Sequence, residues 1–287
     1  MSALGADLAG AAATGPDQAR PALSVRGLCV SYGGVRALVN ANLEVQASQL
    51  VSLIGPNGAG KTTFIDAVSG FVTCQGKVFL GNTELSGRSA HARARLGLAR
   101  TWQSIELFDD LSVRENLSVA SGRPSLLKTL GEMCGRLSIS SGAIEEVLEI
   151  LGLSAFSESF PSDLSQGQRK LVGIARALVS RPKVLCLDEP AAGLNTEESE
   201  QLGRRLRNIV NAGTPVLLVD HDMGLVLGIS DHVVVLEFGE VIASGSCEQV
   251  RHDPHVIAAY LGGAGELGLP SPDNTLADHA GGGPPRE

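Results

Sequence analysis

Residues 55 to 62 read Gly55-Pro56-Asn57-Gly58-Ala59-Gly60-Lys61-Thr62, and they follow a short apolar run, Leu50-Val51-Ser52-Leu53-Ile54. Few short patterns constrain a fold more, because a strand must run into a glycine loop and then straight into a helix. The glycines let backbone N–H groups converge on a phosphate, and a helix opening at Gly60 adds roughly half a positive charge at its end. Lys61 supplies a full charge between β- and γ-phosphates, and the Thr62 hydroxyl is placed to ligate magnesium. The loop therefore points to a nucleoside triphosphate with magnesium. A chance glycine-rich turn would lack both the preceding strand and the Lys-Thr pair.

A chain of 287 residues exceeds one typical domain but suits a single α/β unit with an added subdomain. With 43% hydrophobic and 19% charged residues it can bury a real core in an ordinary soluble protein. A net charge of −8 argues against nucleic acid or anionic lipid as a partner, and 3% aromatics leaves little for stacking bases. Cys29, Cys74, Cys134, Cys186 and Cys247 lie far apart, with no metal-type spacing, and read as buried free thiols in a reducing cytosol. No apolar run approaches the about 18 residues that cross a bilayer. The first basic residue is Arg20, so a charged secretory start is missing. The expectation is a cytoplasmic chain that serves a membrane, if at all, through a partner.

Residues 1–21 are rich in Ala and Gly, and residues 264–287 end in Gly281-Gly282-Gly283-Pro284-Pro285; both are expected to be disordered tails. Between them, alternation predicts strands over Leu23–Tyr32 and Leu38–Gln46, and Lys61–Ser69 should form a helix stopped by Gly70. A strand is predicted from Gly76 to Asn82. From about 88 to 177 the pattern reads as helical, with apolar residues at Ile144, Val147, Leu148 and Leu151. Apolar runs at Val184–Leu187, Pro215–Val219 and Val233–Leu236 read as further strands, with a helix over Thr196–Val210. Strands on both sides of a helical insert predict an α/β fold, a parallel sheet core with a helical subdomain, over residues 22–263.

Three more segments bear on chemistry. Val184-Leu185-Cys186-Leu187-Asp188-Glu189 is a buried strand ending in two carboxylates, where sites in parallel sheets lie. Asp188 would hold magnesium and Glu189 would polarise the attacking water. Leu164-Ser165-Gln166-Gly167-Gln168-Arg169 opens a helix and makes either a second anion site or a plain cap. One triphosphate does not need two such sites in one chain, so the second would serve a nucleotide held by another subunit. Val219-Asp220-His221-Asp222 ends an apolar strand, and His221 there can reach a γ-phosphate.

Together these residues resemble the nucleotide-binding subunit of an ABC transporter, over roughly residues 23 to 263. The stretch Leu164-Ser165-Gln166-Gly167-Gln168 is the family's diagnostic element. The resemblance implies a P-loop cassette: a mixed sheet core, an antiparallel β subdomain and a helical subdomain. It implies ATP and Mg2+ as cofactors and two cassettes that sandwich two ATP molecules head to tail. It assigns Gly55, Pro56, Asn57, Gly58, Ala59, Gly60, Lys61, Thr62 and Thr63 to the phosphates, and Ser165, Gly167 and Gln168 to the partner's nucleotide. Tyr32 would stack on adenine; Thr62, Gln103 and Asp188 would serve the metal; Glu189, His221 and Gln103 would be catalytic. Partners would be integral-membrane permease subunits, a second cassette (self or sibling) and, indirectly, a substrate-binding protein, at the cytoplasmic face of the membrane, with no nucleic acid involved.

A narrower likeness is to branched-chain amino acid importers. It rests on Gly97 to Gln103, Leu107-Phe108, Leu111 to Leu117, Glu189 to Asn195 and the carboxyl segment Asp253 to Gly262. Urea and short-chain amide importers share these motifs, so the cargo stays open, as does a soluble ABC ATPase outside transport. Trp102 stands where this subfamily usually has Phe, Asp109 where it often has Pro, Cys247 at a common Pro position, and Gln166 between the diagnostic Ser and Gly.

Overall fold

The computed structural model describes residues 20–102, 106–121 and 139–261. Two sheets form its frame. A four-stranded antiparallel sheet is built from β1 (Leu23–Tyr32), β2 (Val35–Val45), β4 (Gln75–Leu80) and β5 (Thr83–Glu84), in the order β2-β1-β4-β5. The second has six strands in the order β10-β9-β3-β8-β7-β6. Its members are β3 (Leu50–Ile54), β6 (Leu98–Arg100), β7 (Val184–Asp188), β8 (Val216–Val219), β9 (His232–Glu237) and β10 (Glu240–Gly245). Pairing is parallel from β9 through β3, β8 and β7 to β6, and only the β9–β10 edge is antiparallel.

The six-stranded sheet separates two cores, and the two-residue period of its strands sorts side chains between them. Val51, Leu53, Val184, Cys186, Leu217, Val219, Val234 and Leu236 face the antiparallel sheet and α1 (Lys61–Ser69). Leu50, Ile54, Leu185, Leu187, Val216, Leu218, Val233 and Val235 face a helical layer. Burial on both faces is why these strands read as unbroken apolar runs. The helical layer contains α3 (Val113–Ser121), α4 (Ile139–Leu151), α5 (Gln166–Leu178), α6 (Thr196–Asn211) and α7 (Met223–Ile229). Ile144, Val147, Leu148 and Leu151 of α4 are all buried there, one apolar stripe at helical spacing. Two short helices, α8 (Cys247–Arg251) and α9 (Pro254–Leu261), follow β10.

Three features differ from the sequence expectations. The stretch 88–177 is not uniformly helical: α2 (Ala90–Leu96) is followed by β6, which joins the core sheet beside β7. A three-residue strand is too short to show a period, and only its parallel partner defines it. The hairpin partner β10 was also not legible, since its residues are mostly half-buried rather than alternating in and out. Among the cysteines, Cys186 alone of the described four is fully buried, and Cys29, Cys74 and Cys247 are half-buried free thiols. Burial pushes the Cys186 thiol up to about 12. Cys134 and nearly all of the predicted tails fall outside the described residues. Among the described residues no helix is long and apolar enough to cross a membrane.

Candidate active site

The glycine loop joins β3 to α1 and is clamped from above by the turn between β9 and β10. Gly239 N–H donates to Ala59 O at 2.9 Å, and Val39 N–H of β2 donates to Gly239 O at 2.9 Å. Gly55 is obligatory for steric reasons, because a Cβ there would lie 2.1 Å from the Leu236 carbonyl oxygen. Gly60, at φ +103°, caps α1, and a Cβ would meet the Ala37 carbonyl at 2.7 Å. Lys61 is buried, and its ammonium donates to Gly55 O at 2.6 Å and Pro56 O at 3.1 Å. The side chain thus lies across its own loop, where the phosphates of a nucleotide would compete for it. Thr62 is exposed at the first turn of α1 and Thr63 is half-buried beside it; Asn57 and Gly58 are exposed at the tip.

Asp188 ends β7 and Glu189 follows it. Thr62, Asp188 and Glu189 line one open cavity of about 930 Å³, together with Leu107, Phe108 and residues of α5. Glu189 is the site's strained residue: it sits at φ +46°, a left-handed conformation that a β-carbon makes unfavourable by roughly 1–2 kcal/mol. Its N–H donates to Val219 O at 2.7 Å, which continues the parallel β7–β8 ladder one residue past the strand end. His221, half exposed, follows β8; its Nδ1 lies 4.0 Å from Glu189 Oε1 and 3.8 Å from Asp220 Oδ1.

Three residues that sequence reasoning passed over hold this arrangement. Arg100, at the end of β6, donates to Asp66 Oδ1 at 2.6 Å and to Asp188 Oδ2 at 2.8 Å. Asp220 is fully buried and accepts from Ala191 N–H at 3.1 Å, His221 N–H at 2.8 Å and Asp222 N–H at 3.0 Å, tying the segment after Glu189 to the one carrying His221. Lys170 of α5 donates to Ala192 O at 2.5 Å; burial lowers its pKa, against the pull of Asp220 and Glu189. The signal for Arg100 and Asp220 was position, a charge at the end of a core strand; Arg100 was hidden because β6 itself was not recognised, and Asp220 because the pairing of β8 with β7 is not visible in sequence.

The remaining predicted residues lie elsewhere. Ser165 caps α5 in a reciprocal box: its Oγ accepts from Gln168 N–H at 3.2 Å, and Gln168 Oε1 accepts from Ser165 N–H at 2.8 Å. Ser165 is exposed, and Ser165, Gly167 and Gln168 do not line the cavity of Thr62 and Asp188. Tyr32 ends β1 at the hairpin into β2, paired with Val35 and half exposed. Gln103 lies outside the described residues.

A strand-loop-helix glycine loop, a carboxylate pair ending a parallel strand two places along the same sheet and a separate exposed helix start define an ATP-binding cassette. The chain belongs to the ABC transporter family, whose model matches residues 38–192, and it is an ATP-hydrolysing cassette. A second model, described as branched-chain amino acid ATP-binding cassette transporter, matches residues 240–266. The chain is 41% identical to the high-affinity branched-chain amino acid transport ATP-binding protein LivG of Escherichia coli K12, over 85% of this chain and 99% of that protein. It is 40% identical to BraF of Pseudomonas aeruginosa, which carries the same description, over 85% of this chain and 99% of that protein. Among solved structures it resembles the ADP conformation of an ATP-binding cassette of an ABC transporter, with TM-score 0.74 and 29% identity over 84% of this chain and 99% of that one. A nucleotide-free cassette gives TM-score 0.73 and 28% identity, over 84% and 98%.

Proposed function

We propose that this chain is the ATPase that energises import of branched-chain amino acids, seated on permease subunits at the cytoplasmic face of the membrane and paired with a second cassette. The observation that carries the cargo class is the match of residues 240–266. These residues lie beyond every phosphate-contacting motif, so ATP chemistry alone does not account for their pattern. End-to-end identity of 40–41% to LivG and BraF supports the same reading. The cassette would span residues 22–263, with the helical region between β6 and β7 meeting the permease.

Within that reading, the loop from Gly55 to Thr63 cradles the triphosphate, and Tyr32 stacks on the adenine. Lys61 leaves its own loop carbonyls for the phosphate oxygens. Thr62 and Asp188, with Gln103, would hold magnesium, which would supply positive charge to offset that of the phosphates. The donor set fits that ion. The Asp188 carboxylate and the Thr62 hydroxyl share one cavity, a hard-oxygen pair of the kind that holds magnesium beside substrate phosphates. Arg100 engages Oδ2 of Asp188, leaving Oδ1 for the cation or its water. Glu189, turned out by its left-handed backbone, accepts the proton of the attacking water, and His221 beside it contacts the γ-phosphate. Ser165 spends its oxygen lone pair on its own helix cap and keeps its O–H to donate to a nucleotide held by the second cassette.

The test is to recover a tagged Glu189→Gln chain from its native membranes with ATP and identify its companions. Permease subunits and a second cassette are expected, and the wild-type complex with its binding protein should hydrolyse ATP faster with leucine, isoleucine or valine. Stimulation by urea or a short-chain amide instead would overturn the cargo. Soluble companions alone, with none of the chain on membranes, would overturn transport and leave the ATPase standing.

A further inference from the structure

Arg100 reaches three elements at once. It ends β6, its Nη1 meets Asp66 of α1 at 2.6 Å, and its Nη2 meets Asp188 at the end of β7 at 2.8 Å. The guanidinium is nearly buried, with 6% of its side chain exposed. Asp66 lies four residues after Thr62 on α1, so the two share a helix face one turn apart, and both line the cavity with Asp188. One rigid fork therefore spans the two elements that carry Thr62 and Asp188. A third contact holds the fork from outside: the Trp102 ring centroid lies 4.6 Å and the Phe71 centroid 5.7 Å from Arg100 Cζ, and the two rings meet edge to face at 4.8 Å.

We propose that Arg100 is the positioning residue of the magnesium site: its guanidinium fixes the spacing between Thr62 and Asp188, and Trp102 stacked on it reports whether that site is loaded. The proposal rests on the magnesium reading given above. Coulomb attraction alone would not select arginine here. The fork must donate to carboxylates on two different elements while its face lies against an indole, and a lysine ammonium offers neither planarity nor two divergent donors. Partners that hold a metal-ligating carboxylate set metal affinity through its orientation, and losing one commonly lowers affinity about 10- to 100-fold. Trp102 is the chain's one tryptophan, so its emission reads this contact without a label.

The experiment uses the full chain with Mn2+ as the probe, a non-hydrolysable ATP analogue, and electron paramagnetic resonance to follow free metal. Arg100→Lys should bind Mn2+ about tenfold or more weakly, with analogue affinity in EDTA unchanged and the Mn2+-induced change in tryptophan emission lost. Asp66→Ala, which leaves Arg100 and Asp188 in place, should weaken Mn2+ in the same direction and keeps the test open if the arginine variant folds poorly. If both variants bind Mn2+ like wild type while Asp188→Asn does not, Arg100 is a structural ion pair and the proposal falls, with the magnesium reading intact. If Asp188→Asn also binds Mn2+ like wild type, the magnesium reading falls and takes the proposal with it.

Discussion

The phosphate loop and the helix start at Ser165 are both glycine-bearing helix N-termini, yet the chain treats them in opposite ways. The loop is wired into its surroundings. Leu236 and Ala37 press on Gly55 and Gly60, Gly239 staples Ala59, and Lys61 lies buried against Gly55 and Pro56. The Ser165 segment is satisfied by itself, through its reciprocal cap with Gln168, and its hydroxyl faces outward. The first helix start is fixed by tertiary contacts, and the second is capped by its own side chains and lies outside the cavity of Thr62 and Asp188. The difference supports the proposal that the Ser165 segment is addressed to another molecule, since it stands apart from Thr62, Asp188 and Glu189.

The largest effect that separates the two regions is chemical. Glu189 belongs to the wired half, and removing its basicity in Glu189→Gln should lower hydrolysis by roughly 10²–10⁴ while ATP affinity holds. Equilibrium binding and steady-state turnover on the same preparation decide this. Turnover near wild type would move the base elsewhere and weaken the case that the left-handed backbone at Glu189 serves catalysis.

The next effect asks whether the halves act across two chains. Lys61→Ala removes a charged donor from the loop and should cost roughly 10²–10³ in turnover. Gly167→Asp puts a carboxylate where the partner's phosphate would sit and should be comparably inactive. Mixed, the two variants can form one intact site from the loop of one chain and the Ser165 segment of the other. Activity that appears only on mixing is the expected outcome. No rescue at any ratio would break the pairing of two copies of this chain and leave a sibling cassette as the partner.

How much of this was legible in sequence follows the same division. The loop, the Asp188-Glu189 strand end and the Ser165 cap are contiguous, and each carries a local pattern strong enough to read. Arg100, Asp66 and Asp220 are not contiguous with what they hold: Arg100 and Asp188 are brought together by parallel pairing of β6 on β7. Asp220 reaches Ala191 only because β8 lies beside β7. A three-residue strand has no period, so its charged end could not be placed, and the residues that brace the site stayed hidden while the contiguous motifs were plain. Fold class was legible for the converse reason, since β3, β7, β8 and β9 are buried on both faces and announce themselves as apolar runs.

The smallest effect, in stability rather than rate, sharpens the comparison further. In Gly55→Ala the new methyl carbon would lie 2.1 Å from the Leu236 carbonyl, a backbone atom that cannot swing aside. The β9–β10 hairpin must shift, at about 1–3 kcal/mol as for other overpacked sites. Gly167 sits in the first turn of α5, and a methyl carbon there would find its nearest neighbour, Glu198 Oε1, at 3.6 Å, an ordinary contact. Replacing glycine by alanine in a helix gains up to roughly 0.5–1 kcal/mol. Gly167→Ala should therefore melt at or slightly above wild type in the isolated chain, while Gly55→Ala melts below it. If Gly167→Ala also loses hydrolysis in the assembled complex, the glycine is required by what approaches from outside and not by this chain's own fold. Should Gly167→Ala instead destabilise the isolated chain as much as Gly55→Ala, the Ser165 segment would be part of the internal frame after all, and the contrast between the two helix starts would collapse.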